Sequence, residues 1–233
     1  MKHKVLINPD TPEIIKTALA KKGFETITIP YCEALDRPIA GHPDLQFFIH
    51  ADIIFCPEKT PLNFIKSLEQ AGCQIILCES EPKEKYPHDI PYNVACTGNI
   101  AFHRTDKTEM RILAYLKEQN IPIYNVAQGY SRCSTVIVSE SHIITADAGI
   151  HNAALGANIE SLLITSGHVA LPGYKYGFIG GASGTCEDKV YFTGNINKHP
   201  DGRSISEFIE QAGKEIICLT NDELLDSGSL LFF

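Results

Sequence analysis

Val5-Leu6-Ile7-Asn8 opens on a short apolar run, and the run returns four times: Ile53-Ile54-Phe55-Cys56, Ile100-Ala101-Phe102-His103, Ile143-Ile144-Thr145-Ala146 and Val190-Tyr191-Phe192-Thr193. Successive copies start 48, 47, 43 and 47 positions apart, and counting from Val190 through the C-terminus back to Val5 gives 48 more. Even spacing of this kind is the mark of a repeat architecture. It divides the chain into five units of nearly equal size and places both chain ends inside one unit.

The remainder of each unit agrees. After the recurring strand comes a helix-start signal: Pro9-Asp10-Thr11-Pro12, Thr60-Pro61, Thr105-Asp106, Asp147, and Asp201 to Ser204. Side-chain oxygens accept hydrogen bonds from the free amides of a first helical turn, and proline fits there without losing a bond. Helical spacing of apolar residues follows, as in Leu62, Ile65, Leu68 and Met110, Leu113, Leu116. Gly23, Gly72, Asn120, Asn158 and Gly213 then tolerate the left-handed backbone that ends a helix. A further apolar strand comes next, at 26–29, 74–78, 121–126, 161–165 and 215–219. Ahead of each recurring strand lies another extended segment, at 44–48, 92–96, 134–138 and 177–180. The first unit lacks one, and Ser229-Leu230-Leu231-Phe232-Phe233 supplies it if the tail pairs beside residues 4–8. The expected fold class is therefore α/β: a closed five-bladed propeller of ββαβ repeats, one domain over 1–233, with repeats 226–233 plus 1–40, 41–90, 91–128, 129–172 and 173–225. An open doubly wound sheet is the competing reading. It predicts strict βαβα alternation and a Gly-x-Gly-x-x-Gly turn, and the chain has neither.

Composition narrows the function classes. The chain of 233 residues is 44% hydrophobic and 21% charged, a globular balance. Collagen-like, mucin-like and disordered chains need more Gly and Pro or fewer aliphatics. A formal charge of −8 opposes direct nucleic-acid binding, which needs basic groups against phosphate. No apolar run reaches the roughly 18–20 residues of a membrane span, and Asn8-Pro9-Asp10 interrupts the first one too early for a signal peptide. The eight cysteines form no Cys-x-x-Cys pair and several sit inside apolar runs, as Cys78 and Cys218 do. Free thiols in a reducing, cytoplasmic setting are expected, with no metal and no cofactor. His151, His168 and His199 with Asp147 and Asp201 lack the paired spacing of a metal site.

A ring of five ββαβ units resembles the pentein superfamily, whose members include arginine deiminases, dimethylarginine dimethylaminohydrolases, amidinotransferases and a ribosome anti-association factor. Local motifs add to the resemblance. Pro43-Asp44 is similar to the Pro-Asp of the dimethylarginine hydrolases, and Phe178-Ile179-Gly180-Gly181 to a Gly-Gly-Asp strand, with Ala182 in place of the Asp. Cys133-Ser134 is similar to a Cys-Ser that follows the family's catalytic His, and residues 226–233 to the segment bearing the catalytic Cys. The chain departs from the pattern twice. Residues 226–233 contain no Cys, and Gln128 stands where the family places its His. What the resemblance implies is a small guanidino, amidino or amino-acid-like substrate in the central mouth. The activity would be that of a C–N hydrolase or amidinotransferase; the alternative is a non-catalytic protein binding a ligand, a protein or a ribosome. A protein partner or a second copy of the chain stays open.

Loops leading into the five leading strands are rich in polar residues and would converge at that mouth. Asp44 and His42 read as a cation binder beside a proton carrier, or as a proline turn with a capping carboxylate. Cys133 reads as a nucleophile, exposed in its turn and with its pKa lowered by Arg132, or as a buried small residue. Arg132 reads as a carboxylate binder or as a structural partner of Asp44 or Asp226. Gly180 and Gly181 read as an anion cradle or as a place where backbones approach closely. Asn93, Ser134, Tyr176, Asp226 and Ser229 complete the expected ligand-binding set.

Overall fold

The computed structural model describes residues 3–233; Met1 and Lys2, at the head of the first unit, lie outside it. Five three-stranded sheets make up its strand content. In each, the recurring strand is central: Lys4–Ile7, Ile53–Pro57, Ala101–His103, His142–Thr145 and Lys189–Phe192. A parallel strand lies on one side, reached through a helix such as Glu13–Lys21 or Gly202–Gln211. An antiparallel leading strand lies on the other. The first sheet takes its leading strand from the far end of the sequence, as expected: Leu231–Phe232 pairs with Lys4–Ile7 through Val5↔Phe232 and Leu6↔Leu231.

Alternation along a strand sends successive side chains to opposite faces, and the recurring apolar triplets use both. Leu6 packs with Ile54 and Cys56 between the first two sheets, while Val5 and Ile7 pack with Tyr191 and Ile217 toward the fifth. Phe55 turns to Ala101, Phe102 to Ile143, and Ile144 to Val190. Each central strand is thus split between two neighbouring cores, which is why it reads as continuous hydrophobe rather than as alternating polar and apolar residues. The expected helix stops hold: Gly23, Gly72, Asn120, Asn158 and Gly213 all have positive φ.

Three details differ from expectation. The leading strand of the fifth unit is Ser183–Cys186 and not residues 177–180. There the backbone instead turns inward, donating from Gly181 N to the carbonyl of Cys133 at 2.8 Å. Residues 44–47, 92–94 and 134 are not strand either. Pro43–Gln46 and Ser131–Ser134 each make one helical turn before the strands Phe48–His50 and Thr135–Ser139 begin. Thr105-Asp106 starts no helix; the next one is Met110–Glu118, where the Glu109 carboxylate caps Arg111 N at 3.1 Å. All eight cysteines are free. No helix among the described residues is long and apolar enough to cross a membrane.

Candidate functional site

The helical turns that displace the leading strands also aim their loops at one another. Asp44, Asn93, Cys133, Gly180, Gly181 and Ser229, one or two from each unit, meet in a buried knot. The Asn93 side chain is its hub. Its carbonyl accepts from the amides of Arg132 (2.8 Å) and Cys133 (3.2 Å), and its amide donates to Asp44 O (3.0 Å) and Cys133 Sγ (3.1 Å). Asp44 Oδ2 accepts from Ser229 Oγ at 2.6 Å and from the Cys133 thiol at 3.1 Å. Ser229 Oγ also reaches Gly180 O at 3.1 Å. A β-carbon at Gly180 would strike the carbonyls of Arg132, Cys133 and Thr135, and one at Gly181 would strike the Asp226 carboxylate. The glycine pair therefore serves close backbone approach. The Gly181 amide is spent on Cys133 O, so it offers no anion cradle.

His42, Asp44 and Cys133 are 2%, 1% and 3% exposed, and their ligating atoms lie within 4.8 Å of one another. Burial decides their protonation. It holds the His42 imidazole below its usual value and hence neutral, although Asp44 pulls the other way. It raises Asp44, with His42 and the Ser229 and Cys133 hydrogen bonds opposing. The Cys133 thiol is pushed well above its ordinary range by burial first and by the Asp44 and Asp226 charges next. Exposure and activation of Cys133 are thus corrected: the turn buries it. Arg132 Nη1 donates to the carbonyls of Thr135 (3.1 Å) and Gly180 (3.4 Å); among the described residues no ion pair joins Arg132 to Asp44 or Asp226. Asp226 Oδ1 and Oδ2 accept from Gly228 N (3.0 Å) and Phe178 N (2.8 Å). Burial still pushes this carboxyl up to about 6. His42 Nδ1 stands 3.8 Å from Asp226 Oδ1. Two knot atoms have no hydrogen-bond partner, His42 Nε2 and Asp44 Oδ1.

Two cavities flank the knot. One of about 300 Å³ is lined by His42, Asp226, Ser227 and Asn8, with Asp10 and Arg37 toward solvent. The other, about 220 Å³, is lined by Gln128, Ser134, Asp147, Tyr176, His168 and His199 among others. Nine of the eleven expected site residues therefore gather at the knot, while Ser134 and Tyr176 belong to the second cavity. Sequence reasoning missed Ser227, whose buried hydroxyl has no partner, and the Tyr130 hydroxyl that donates to Asp89 behind the knot. A signal for Ser227 was present, since it stands in the segment likened to that of the catalytic Cys. Nothing local marked Asp89.

Comparisons with known proteins come down to fold. A dimethylarginine dimethylaminohydrolase variant, solved as an adduct with S-methyl-L-thiocitrulline, superposes with a TM-score of 0.59 at 8% identity over 100% of both chains. The N-terminal domain of ArgZ, a cyanobacterial arginine dihydrolase bound to product, gives 0.55 at 10% identity over 99% of this chain and 95% of that one. SxtG, an amidinotransferase of the saxitoxin pathway from Microseira wollei, gives 0.55 at 12% over 92% and 87%. The fold is pentein-like, as the sequence resemblance implied. No curated protein matches the sequence. A family model described as a family of unknown function, DUF6873, matches residues 6–231.

Proposed function

We propose, from the premise that the chain belongs to the DUF6873 family, that it is a small-molecule-binding protein built as one closed five-bladed propeller domain. Its ligand is a guanidino, amidino or amino-acid-like cation held at the centre, against Asp44 and Asp226, with His42 as the proton carrier. One observation carries this reading: two buried carboxyl groups face the centre and, among the described residues, no Lys or Arg forms an ion pair with either. Arg132 Nη1 donates to carbonyls and not to a carboxylate, the nearest base, His42, is held neutral, and Asp44 Oδ1 lacks any donor. A planar cation offers paired N–H donors to such groups. The cavity of about 300 Å³ beside His42 and Asp226 gives it a way in. The named activities of the three structural neighbours support the same ligand class. A cytoplasmic setting suits the eight free thiols.

A second reading, a C–N hydrolase or amidinotransferase with Cys133 as a displaced nucleophile, is favoured by the thiol's hydrogen bond to Asp44. A cation that takes this carboxylate would free the S–H and lower its pKa. Gln128 and the Cys-free segment 226–233 favour binding without chemistry.

Calorimetry with arginine, dimethylarginine, agmatine and neutral amino acids tests the reading. At least one guanidino or amidino compound binds, and Asp44→Asn or Asp226→Asn weakens it tenfold or more. Binding also weakens as pH falls through about 6, because Asp226 takes up a proton there. A panel in which nothing binds at millimolar concentration, or only neutral compounds do, defeats it. Ligand that speeds alkylation of Cys133 would select the covalent version; unchanged alkylation would remove it.

A further inference from the structure

We infer that His42, Asp44 and Cys133 form a site for a borderline-soft divalent metal ion, with Zn²⁺ the best match. The site stands apart from the cation-binding reading, since metal can bind with no organic ligand present. Its three side chains supply one nitrogen, one oxygen and one sulfur, the donor types that Zn²⁺ accepts together. Their ligating atoms lie within 4.8 Å of one another. Donors on a tetrahedral zinc stand roughly 3.5 Å apart, so small rotations close the set.

The unspent atoms are the independent sign. His42 Nε2 and Asp44 Oδ1 are buried without a hydrogen-bond partner, on residues 2% and 1% exposed. A buried polar atom left unpaired costs free energy, and metal coordination is one way to satisfy it. Around them stands what a metal site needs behind its ligands. Asp226 Oδ1 lies 3.8 Å from His42 Nδ1, on the ring nitrogen opposite Nε2. That is beyond hydrogen-bond distance, and an approach of about 1 Å would make it the carboxylate–histidine–metal arrangement that orients an imidazole. Ser229 Oγ donates to Asp44 Oδ2 at 2.6 Å, and Asn93 Nδ2 to Cys133 Sγ at 3.1 Å; both bonds favour the anionic forms that metal ligation requires. Carboxylate and thiolate together balance the two positive charges, and the proton of the Cys133 thiol leaves to the buffer. Three protein ligands leave a fourth position open, as in zinc sites that bind water or substrate.

Cobalt(II) titration of metal-free protein tests this directly. One equivalent binds and gives a sulfur-to-cobalt charge-transfer band in the near ultraviolet, and Zn²⁺ displaces it. Cys133→Ser abolishes the band. Asp44→Asn and His42→Ala each weaken binding at least tenfold, and Asp226→Asn, which orients His42, weakens it about 10- to 100-fold. Should His42→Ala not fold, the shape-preserving Asp44→Asn carries the same comparison. A wild-type protein that binds no metal at micromolar concentration overturns the site. So does a band that survives Cys133→Ser, because the exposed Cys218 or another thiol is then its source. The organic-ligand panel run in EDTA fails or succeeds on its own, so the two readings fall separately.

Discussion

Asp226 and Asp201 both accept a backbone amide hydrogen bond, yet their carboxyl groups move in opposite directions. Asp226, sealed beside the knot, is raised to about 6 by burial despite two amide donors. Asp201, near the surface, is lowered, chiefly by the Thr165 amide that donates to it at 2.6 Å. Amide dipoles outweigh desolvation for a carboxyl at the edge of this protein and are outweighed by it at its centre. The centre is thus a region short of positive charge, whereas the periphery settles its charges locally. Thiols divide the same way: Cys133 is sealed and held protonated, and Cys218 is open to solvent.

The sharpest way to break this contrast is to crowd the centre. Gly181→Ala places a methyl on the Asp226 carboxylate. We expect a loss of more than about 4 kcal/mol or no folded protein, as steric clashes in packed interiors can bring. Gly213→Ala at the periphery meets no atom within 4 Å and bears only the strain of φ +73°, about 1–2 kcal/mol. Urea denaturation of both compares them, and equal losses would dissolve the distinction. Next in size is pH. The folded-state pKa of Asp226 lies above its unfolded value, so its contribution to stability is full below pH 3.8 and is lost as pH rises through about 6. That amounts to a loss on the order of 3 kcal/mol, which Asp226→Asn should flatten in urea midpoints measured from pH 4 to 8. Asp201 has the opposite sign: its contribution is present above pH 3.8 and is lost as pH falls through its lowered value. Its exposure keeps the effect under about 1 kcal/mol. Truncation of core side chains should follow burial too. Leu6→Ala, fully buried between two sheets, costs about 2–5 kcal/mol, while Leu77→Ala at 36% exposure costs about 1 kcal/mol or less. The remaining expected difference is kinetic. Iodoacetamide should alkylate Cys218 within minutes and Cys133 at least 100-fold more slowly, as peptide mass spectrometry would show.

What the sequence makes legible follows from the same division. The recurring strands are read correctly because burial on both faces leaves no choice but apolar residues at Val5, Leu6 and Ile7. Helix ends are legible because a left-handed residue at Asn120 or Gly213 restricts the chemistry locally. The C-terminal pairing follows from counting. The loops are less legible. Pro43-Asp44 and Ser131 to Ser134 form helical turns because distant carbonyls and the Asn93 side chain satisfy their backbone, and no local pattern records such partners. For the same reason the convergence of Asp44, Asn93 and Cys133 could be anticipated from the repeat, while their sealing could not. An open mouth and a sealed knot need similar residues at similar spacing, and side-chain packing between units decides which forms. Residues 177–180 are not the fifth leading strand because the apolar Phe178-Ile179 runs inward to the glycine pair instead of along a sheet edge.

The pairing of Lys4–Ile7 with Leu231–Phe232 also has a consequence for synthesis. A ribosome makes the chain from its N-terminus, so four sheets can each assemble from strands that emerge close together in time. The first sheet must wait, with one flank of its central strand unpaired, until Leu231–Phe232 leaves the exit tunnel. That open flank is the kind of edge on which nascent chains stick to one another. Leu231–Phe232 are thus the residues that end this sheet's exposure to neighbouring chains.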